Sequence, residues 1–227
     1  MEREYTKKEK LANWFYYNKL WLAVGAIILW VIGSMLWNVL GIGQIKPDYR
    51  FAYVGSLRLP EDCVAALEAG LASLGTDLNG DGMVTVSLTQ HISAPDSNTE
   101  NMIYSYGADV TLLADITEGE SCFFLMDDPE QFQLDYQILA QWDGSVPAED
   151  DYEALDKVCT WSECPALSSL ELGGYVDKYL DQTETGDCQE LLKNLYLGRR
   201  FFHDPSQEEY PEGNDALWDV MTEGAGK

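Results

Sequence analysis

The sequence predicts an α/β protein with one N-terminal transmembrane helix and an extracellular domain whose mostly parallel sheet is covered by helices. Three observations predict this class. A run of 26 uncharged residues lies near the N-terminus, apolar runs alternate with helical patterns after it, and the acidic excess follows the uncharged run.

The uncharged run extends from Leu20 to Ile45, and a helix needs only about 20 apolar residues to cross a bilayer core. A cleaved signal peptide is the alternative, but its apolar core has about 7 to 15 residues and ends at a small-x-small site. The best such site, Gly41-Ile-Gly43, is poor. We therefore expect an uncleaved anchor.

The flanking charges predict the orientation of this anchor, because Lys and Arg near a span are held on the cytoplasmic side. Five such residues precede the run and three follow it closely: Arg3, Lys7, Lys8, Lys10 and Lys19, then Lys46, Arg50 and Arg58. We expect a single-pass protein of the cell membrane with a cytoplasmic segment at 1–19, a transmembrane helix at 20–41, a linker at 42–49 and an extracellular domain at 50–227.

The charge of the exported part limits its partners. Residues 47–227 contain 8 Lys and Arg against 36 Asp and Glu, a net charge of −28. Nucleic acid is excluded as a partner because its phosphates are bound by clusters of Lys and Arg. The remaining partners are the membrane, through the one helix, and a protein or a small solute.

Five elements are predicted in order in the first half of this domain. The apolar run at 51–55 indicates a buried strand, helical spacing indicates a helix at 60–75, and strict alternation indicates a half-buried strand at 83–90. A second helix is expected at 98–117, followed by a strand at 122–126 whose continuous apolar run is typical of burial on both faces. This order predicts a parallel sheet covered by helices.

The second half gives fewer signals. Residues 130–183 are left unassigned. Helical patterns predict helices at 184–195 and 214–223, and the apolar run at 195–198 is typical of a strand.

Three stretches carry a resemblance to known families. The run KLANWFYYNKLWLAV resembles the start of membrane-anchored proteins of anaerobic Gram-positive bacteria. The stretch ADVTLLADITEGESCFFLMDDPEQFQ resembles the first lobe of type II extracellular solute-binding proteins of ABC importers, and WSECPALSSLELGGY with LYLGRRFF resembles a poorly characterised group of anchored proteins. The resemblance implies a binding fold of one lobe, since 181 exported residues are too few for two.

One loop matches the first half of a calcium-binding loop. Asp77, Asn79 and Asp81 supply oxygens at positions 1, 3 and 5, Gly82 occupies position 6, and Met83 offers its carbonyl at position 7. Position 12 is Leu88 instead of a bidentate Glu. The alternative is a turn between helix and strand, for which Asn-Gly and Asp-Gly are ordinary. Ca²⁺ is the one cofactor that the sequence suggests.

The exported part contains five cysteines, an odd number that leaves at least one thiol unpaired. Cys63 and Cys122 lie in apolar settings and are expected to be small core residues. Cys159 and Cys164 are close enough in sequence for a local disulfide, and the sequence leaves their state open. Two cysteines without neighbouring histidines make no zinc site.

Two pairs of charged residues are candidates for ligand binding. Asp127 and Asp128 follow the strand at 122–126, and open α/β sheets place ligands at the carboxyl ends of strands. The alternative is that they only end the strand. For Arg199 and Arg200 we expect pairing with acids from 143–153 or 206–212, with binding of an anionic ligand as the alternative.

The expected function is a membrane-anchored extracellular binding module, similar to solute-binding proteins, for an unidentified solute or protein partner. One alternative is an accessory or structural subunit of a membrane complex, and another is a cell-wall hydrolase. Catalysis is not expected, because the two histidines, His91 and His203, lie in no recognisable motif.

Overall fold

The computed structural model describes residues 6–39, 46–92, 99–179 and 182–226. The chain divides into two compact units, Met1–Ile45 and Lys46–Lys227.

The first unit consists of helix α1, Lys7–Val39. Its segment Asn13–Leu36 is long and apolar enough to cross a membrane, and none of its most apolar window is buried by protein. Large side chains such as Leu29 and Trp30 are more than 70% exposed. This is consistent with a single-pass anchor, although a signal sequence has the same properties. Residues 40–41 of the predicted span lie outside the described part.

The second unit contains seven strands and six helices among its described residues. The strands are β1 (Tyr49–Gly55), β2 (Val86–Ile92), β3 (Phe123–Met126), β4 (Cys159–Thr160), β5 (Gly174–Tyr179), β6 (Gln182–Asp187) and β7 (Tyr196–Arg199). The helices are α2 (Glu61–Ala72), α3 (Thr99–Glu118), α4 (Pro129–Tyr136), α5 (Pro165–Ser168), α6 (Cys188–Leu192) and α7 (Pro211–Thr222).

Five of these strands form the central sheet, in the order β2-β1-β3-β7-β4. β1 pairs in parallel with both β2 and β3, whereas β7 is antiparallel to β3 and to β4. Four of the five strands therefore point the same way, which confirms the mostly parallel sheet. β5 and β6 form a separate antiparallel hairpin.

Both faces of the central sheet are covered. Phe51 of β1 and Phe123 of β3 pack in one apolar cluster that includes residues of α2, α5, α6 and α7. Ala52 and Phe124, their neighbours in sequence, pack in a second cluster with residues of α3 and α4. Because successive residues of a strand point to opposite faces, the run at 122–126 could be apolar throughout only if both faces were buried. β3 is buried along its whole length, as the sequence predicted.

The helix predicted at 184–195 is wrong in its first part. Residues up to Asp187 belong to β6, which pairs with β5, and the helix extends only over Cys188–Leu192. The Asp187 side chain accepts a hydrogen bond from the N–H of Gln189 and so caps the helix at this point. The pairing with β5 is a contact between segments, which helical spacing in one segment does not reveal.

A disulfide joins Cys63 at the start of α2 to Cys188 at the start of α6. The expectation that Cys63 is only a small core residue is therefore wrong, although its burial was predicted correctly. The bond spans 125 positions of the chain. Losing a native disulfide costs a small domain about 2 to 5 kcal/mol.

Candidate functional site

The carboxyl ends of β1 and β3 lie side by side at a topological switch point. From β1 the chain passes through α2 to β2 on one side, and from β2 it passes through α3 to β3 on the other side. The two helices cover opposite faces of the sheet. Open α/β sheets bind ligands in the crevice that this arrangement leaves.

A cleft of about 620 Å³ opens at this switch point. We call it the carboxyl-edge cleft, and its polar lining residues include Ser56, Asp109, Asp127, Asp128, Asp135 and Tyr136. Four of these are carboxylates, and no Lys or Arg is among the described residues that line the cleft. The local charge therefore favours a cation.

Asp127 joins the two strand ends that form the cleft. One of its oxygens, Oδ2, accepts hydrogen bonds from the backbone N–H of Ser56 at 2.8 Å and from its hydroxyl at 2.9 Å. Asp128 caps α4, because its Oδ1 accepts a hydrogen bond from the N–H of Gln131 at 2.9 Å. Both residues are exposed, and the second oxygen of each takes no hydrogen bond from the described residues.

Tyr136 supplies the aromatic part of the cleft. Its ring packs against that of Phe132, with 5.2 Å between centroids. Burial raises the pKa of the Tyr136 phenol, and the negative charges of Asp109 and Asp135 raise it further. The phenol is therefore a hydrogen-bond donor at neutral pH. Carboxylates beside an aromatic ring form a site that suits an organic cation.

Arg199 lies at the opposite end of the strands, where β3 begins. β7 is antiparallel to β3 and pairs Arg199 with Phe123, the first residue of β3. The guanidinium donates to Asp215 Oδ1 at 2.7 Å and to the carbonyl of Trp142 at 3.1 Å. It also stacks over the ring of Trp218 at 5.0 Å. The structure thus separates the two predicted pairs of charged residues.

Space for the Arg199 side chain depends on Gly144. A Cβ atom at this position would lie 2.5 Å from Nη2 of Arg199, and the backbone has a φ of +85°. The positive φ favours glycine here, and the short distance shows how closely the Arg199 guanidinium approaches the backbone.

Arg200 is also held by the protein. Its guanidinium donates to the carbonyls of Ile116 at 2.9 Å and Ser121 at 3.4 Å, and it stacks over Phe202 at 4.6 Å. Burial lowers the pKa of Arg200 from its ordinary value. The hydrogen bonds of the two guanidinium groups thus go to Asp215 and to backbone carbonyls. Acids from the expected segments 143–153 and 206–212 contribute charge attraction without a hydrogen bond, from Asp143 to Arg199 and from Glu208 to Arg200. Both arginines line a second cleft of about 230 Å³.

In the calcium-like loop, side chains of the loop accept hydrogen bonds from backbone N–H groups of the same loop. Asp77 accepts hydrogen bonds from the N–H groups of Gly80 and Gly82, Asn79 accepts one from Asp81, and Asp81 accepts one from Met83. In the described part of the chain, no three His, Cys, Asp or Glu residues are grouped to hold a metal. Leu88, at position 12, is 8% exposed. Calcium binding stays a prediction, and the turn is complete without it.

Buried Asp48 fixes this loop to the start of β1. Its carboxylate accepts hydrogen bonds from the backbone N–H groups of Leu78, Asn79 and Thr85. Burial alone would raise the pKa of Asp48, but these hydrogen bonds outweigh it and lower the pKa below its ordinary value. Asp48 therefore holds both ends of the loop, at residues 78–79 and at Thr85.

His91 is the histidine that a hydrolase would most plausibly use, since it is buried beside a hydroxyl and a carboxylate. Its Nδ1 lies 3.2 Å from Thr111 Oγ1, and its Nε2 lies 3.5 Å from Asp115 Oδ2. The Thr111 hydroxyl, however, donates to the carbonyl of Ala108. These contacts tie β2 to α3.

Of the cleft residues on which the proposed site depends, sequence reasoning missed Ser56, Asp109, Asp135 and Tyr136. Ser56 had a usable signal, because it follows β1 directly and the carboxyl ends of parallel strands share an edge. The other three lie on α3 and α4. Their approach to the cleft depends on how these helices pack, which their spacing alone does not give.

Comparison of the chain with protein-family profiles, curated proteins and solved structures returns no match. The function must therefore be argued from the geometry.

Proposed function

We propose that the protein is a membrane-anchored extracellular binding module that takes a cationic solute in the carboxyl-edge cleft. One observation carries the proposal: four carboxylates and a tyrosine line a cleft at the switch point of the sheet. Asp127 and Asp128 each keep one oxygen for a ligand. In this proposal the domain corresponds to one lobe of a solute-binding protein, and its cleft stays open.

Two independent features support the extracellular location. The positive charges that precede the apolar helix favour a cytoplasmic N-terminus. The Cys63–Cys188 disulfide favours an oxidising compartment, since such bonds are rare in the cytosol. Protease added to intact cells should remove the chain beyond about residue 50 and spare the N-terminus. A secreted form that lacks the helix would contradict the anchor.

Titration calorimetry tests the ligand class. The full chain in non-ionic detergent is titrated with spermidine, arginine and choline at physiological ionic strength, which screens weak attraction between exposed charges. We expect saturable heat from at least one cation and a loss of at least about tenfold in affinity, about 1.4 kcal/mol, in the double variant Asp127→Asn with Asp109→Asn.

The control is Asp219→Asn combined with Glu212→Gln, which also removes two negative charges, from exposed positions of α7. Its affinity should be close to that of the wild type. An absence of saturable heat with all three cations, or an equal loss in this control, would contradict the proposal.

A further inference from the structure

Cys159 and Cys164 are brought together inside the apolar core. Cys159 belongs to the short edge strand β4, and Cys164 follows a single helical turn, Trp161–Glu163. Their side chains are 2% and 0% exposed, and their Sγ atoms lie 2.9 Å apart. This distance is shorter than van der Waals contact between two sulfur atoms.

We propose that Cys159 and Cys164 form a second disulfide in the exported protein, which leaves Cys122 as the one reduced cysteine among the five. The proposal rests on the extracellular location proposed above. In the bond-forming reaction two thiols and the disulfide of a thiol-oxidising protein yield the new disulfide and two thiols on the oxidant. Each cysteine loses one proton, and the electron pair reduces the oxidant.

The local backbone brings the two cysteines together. The N–H of Cys164 donates to the carbonyl of Trp161 at 3.2 Å, which folds the chain back so that Cys164 approaches Cys159. The Thr160 side chain and the Glu163 side chain cap the turn reciprocally. Because both sulfurs are buried in the finished fold, the oxidant reaches them when this local turn has formed and the core has not yet closed over it.

The ionisation of the thiols favours the same pair over Cys122. The hydrogen bond from Cys159 is the largest influence on Cys164 and lowers the pKa of its thiol, and the thiolate is the form that reacts. Burial raises the pKa of Cys122 to about 12, and Glu208 adds to this effect. Cys122 is therefore an inert thiol at neutral pH.

The bond also has a structural consequence for the edge of the sheet. β4 pairs with β7 through only two residues, Cys159 and Thr160. A covalent link from Cys159 to the turn that follows holds this short edge strand in place. We expect the disulfide to be a permanent staple and not a switch.

Peptide mapping under non-reducing conditions tests the proposal. Cells are quenched in acid, and the full chain is extracted and denatured in the presence of an alkylating reagent that blocks free thiols. It is then digested with a protease that cuts after glutamate. Glu163 lies between the two cysteines, so the fragments that hold Cys159 and Cys164 should stay joined until reductant is added. We expect Cys122 alone to be alkylated.

Two variants sharpen the result. Cys159→Ser should leave Cys164 as a second alkylated residue, whereas Cys122→Ser should leave the joined fragments unchanged. Alkylation of Cys159 and Cys164 while Cys63 and Cys188 stay linked would overturn the second disulfide and leave the extracellular location intact. Alkylation of all five cysteines would overturn both proposals.

Discussion

The two ends of the strands in the central sheet differ in how their charged residues are placed. At the amino edge, where β1 and β3 begin, the charged groups of Asp48, Arg199 and Arg200 are turned into the protein and bonded to it. At the carboxyl edge, Asp127 and Asp128 are exposed and use one oxygen each.

The difference follows from the cost of desolvation. A buried charge must be matched by hydrogen bonds or an opposite charge, because an unpaired one costs several kcal/mol. The hydrogen bonds of such a group are then made within the protein, and the group is not free to bind a ligand. An exposed carboxylate remains hydrated at little cost and can exchange water for a ligand. The amino edge is therefore expected to serve stability, and the carboxyl edge is the one that the proposed function uses for binding.

The largest expected effect is at the two arginines. Arg199→Ala and Arg200→Ala should each lower the free energy of unfolding by about 2 kcal/mol, because a buried stem and its hydrogen bonds are lost. In Arg199→Ala the loss should stay below the roughly 3 to 5 kcal/mol that follows when a buried charge loses its partner. The charge left behind, Asp215, is 68% exposed and stays hydrated. Urea melts give the values.

A matched control for these variants is Arg58→Ala. The pair of Arg58 with Glu61 is exposed, at 68% and 86%, and its loss should cost less than about 0.5 kcal/mol. Losses below about 0.5 kcal/mol in both arginine variants would refute a structural amino edge.

A smaller effect is expected at the cap of α4. Asp128→Ala removes the bond to the N–H of Gln131 and should cost about 1 kcal/mol, whereas Asp128→Asn keeps an acceptor and should cost only a few tenths. Thermal melts distinguish the two variants. Equal losses would mean that the charge of Asp128 matters and not its capping bond.

Acid sensitivity should arise at the amino edge through Asp48. Because its pKa is lowered in the fold, its stabilising contribution is complete above about pH 4, its unfolded value, and is lost as pH falls through the folded pKa. We expect Asp48→Asn to lose less stability than the wild type between neutral pH and about pH 3. The comparison is made by urea melts, with Asp127→Asn as the control. Equal slopes in the wild type and Asp48→Asn would contradict this.

The smallest effect concerns calcium. Any affinity of the Asp77 loop should be weak, with a Kd of roughly 0.1 to 1 mM, because position 12 offers no carboxylate. Calorimetry with Ca²⁺ measures it, with Asp77→Ala combined with Asp81→Ala as the control. An absence of heat at millimolar Ca²⁺, or heat unchanged in the control, would leave the turn as the role of the loop.

The sequence predicted the elements whose signals are local. The apolar run of β3, the helical spacing of α2 and the place of Asp127 and Asp128 after β3 were all readable from single segments. The β5–β6 hairpin is local, but its first strand lies in residues 130–183, which the sequence left unassigned. The Cys63–Cys188 bond and the partners of Arg199 were not readable, because each joins separate segments of the chain. The antiparallel direction of β7, which separates the arginines from the aspartates, belongs to the same class.

The central claim, that only the carboxyl edge binds ligand, is tested most directly by NMR shift mapping on the isotope-labelled full chain. Spermidine serves as the cationic probe and inorganic phosphate as the anionic one. We expect spermidine to shift the amides of Ser56 and Gln131, and phosphate to cause no localised shift at Gly144 or Asn214. A phosphate site beside Arg199 and Arg200, or spermidine shifts spread evenly over the acidic surface, would contradict the account.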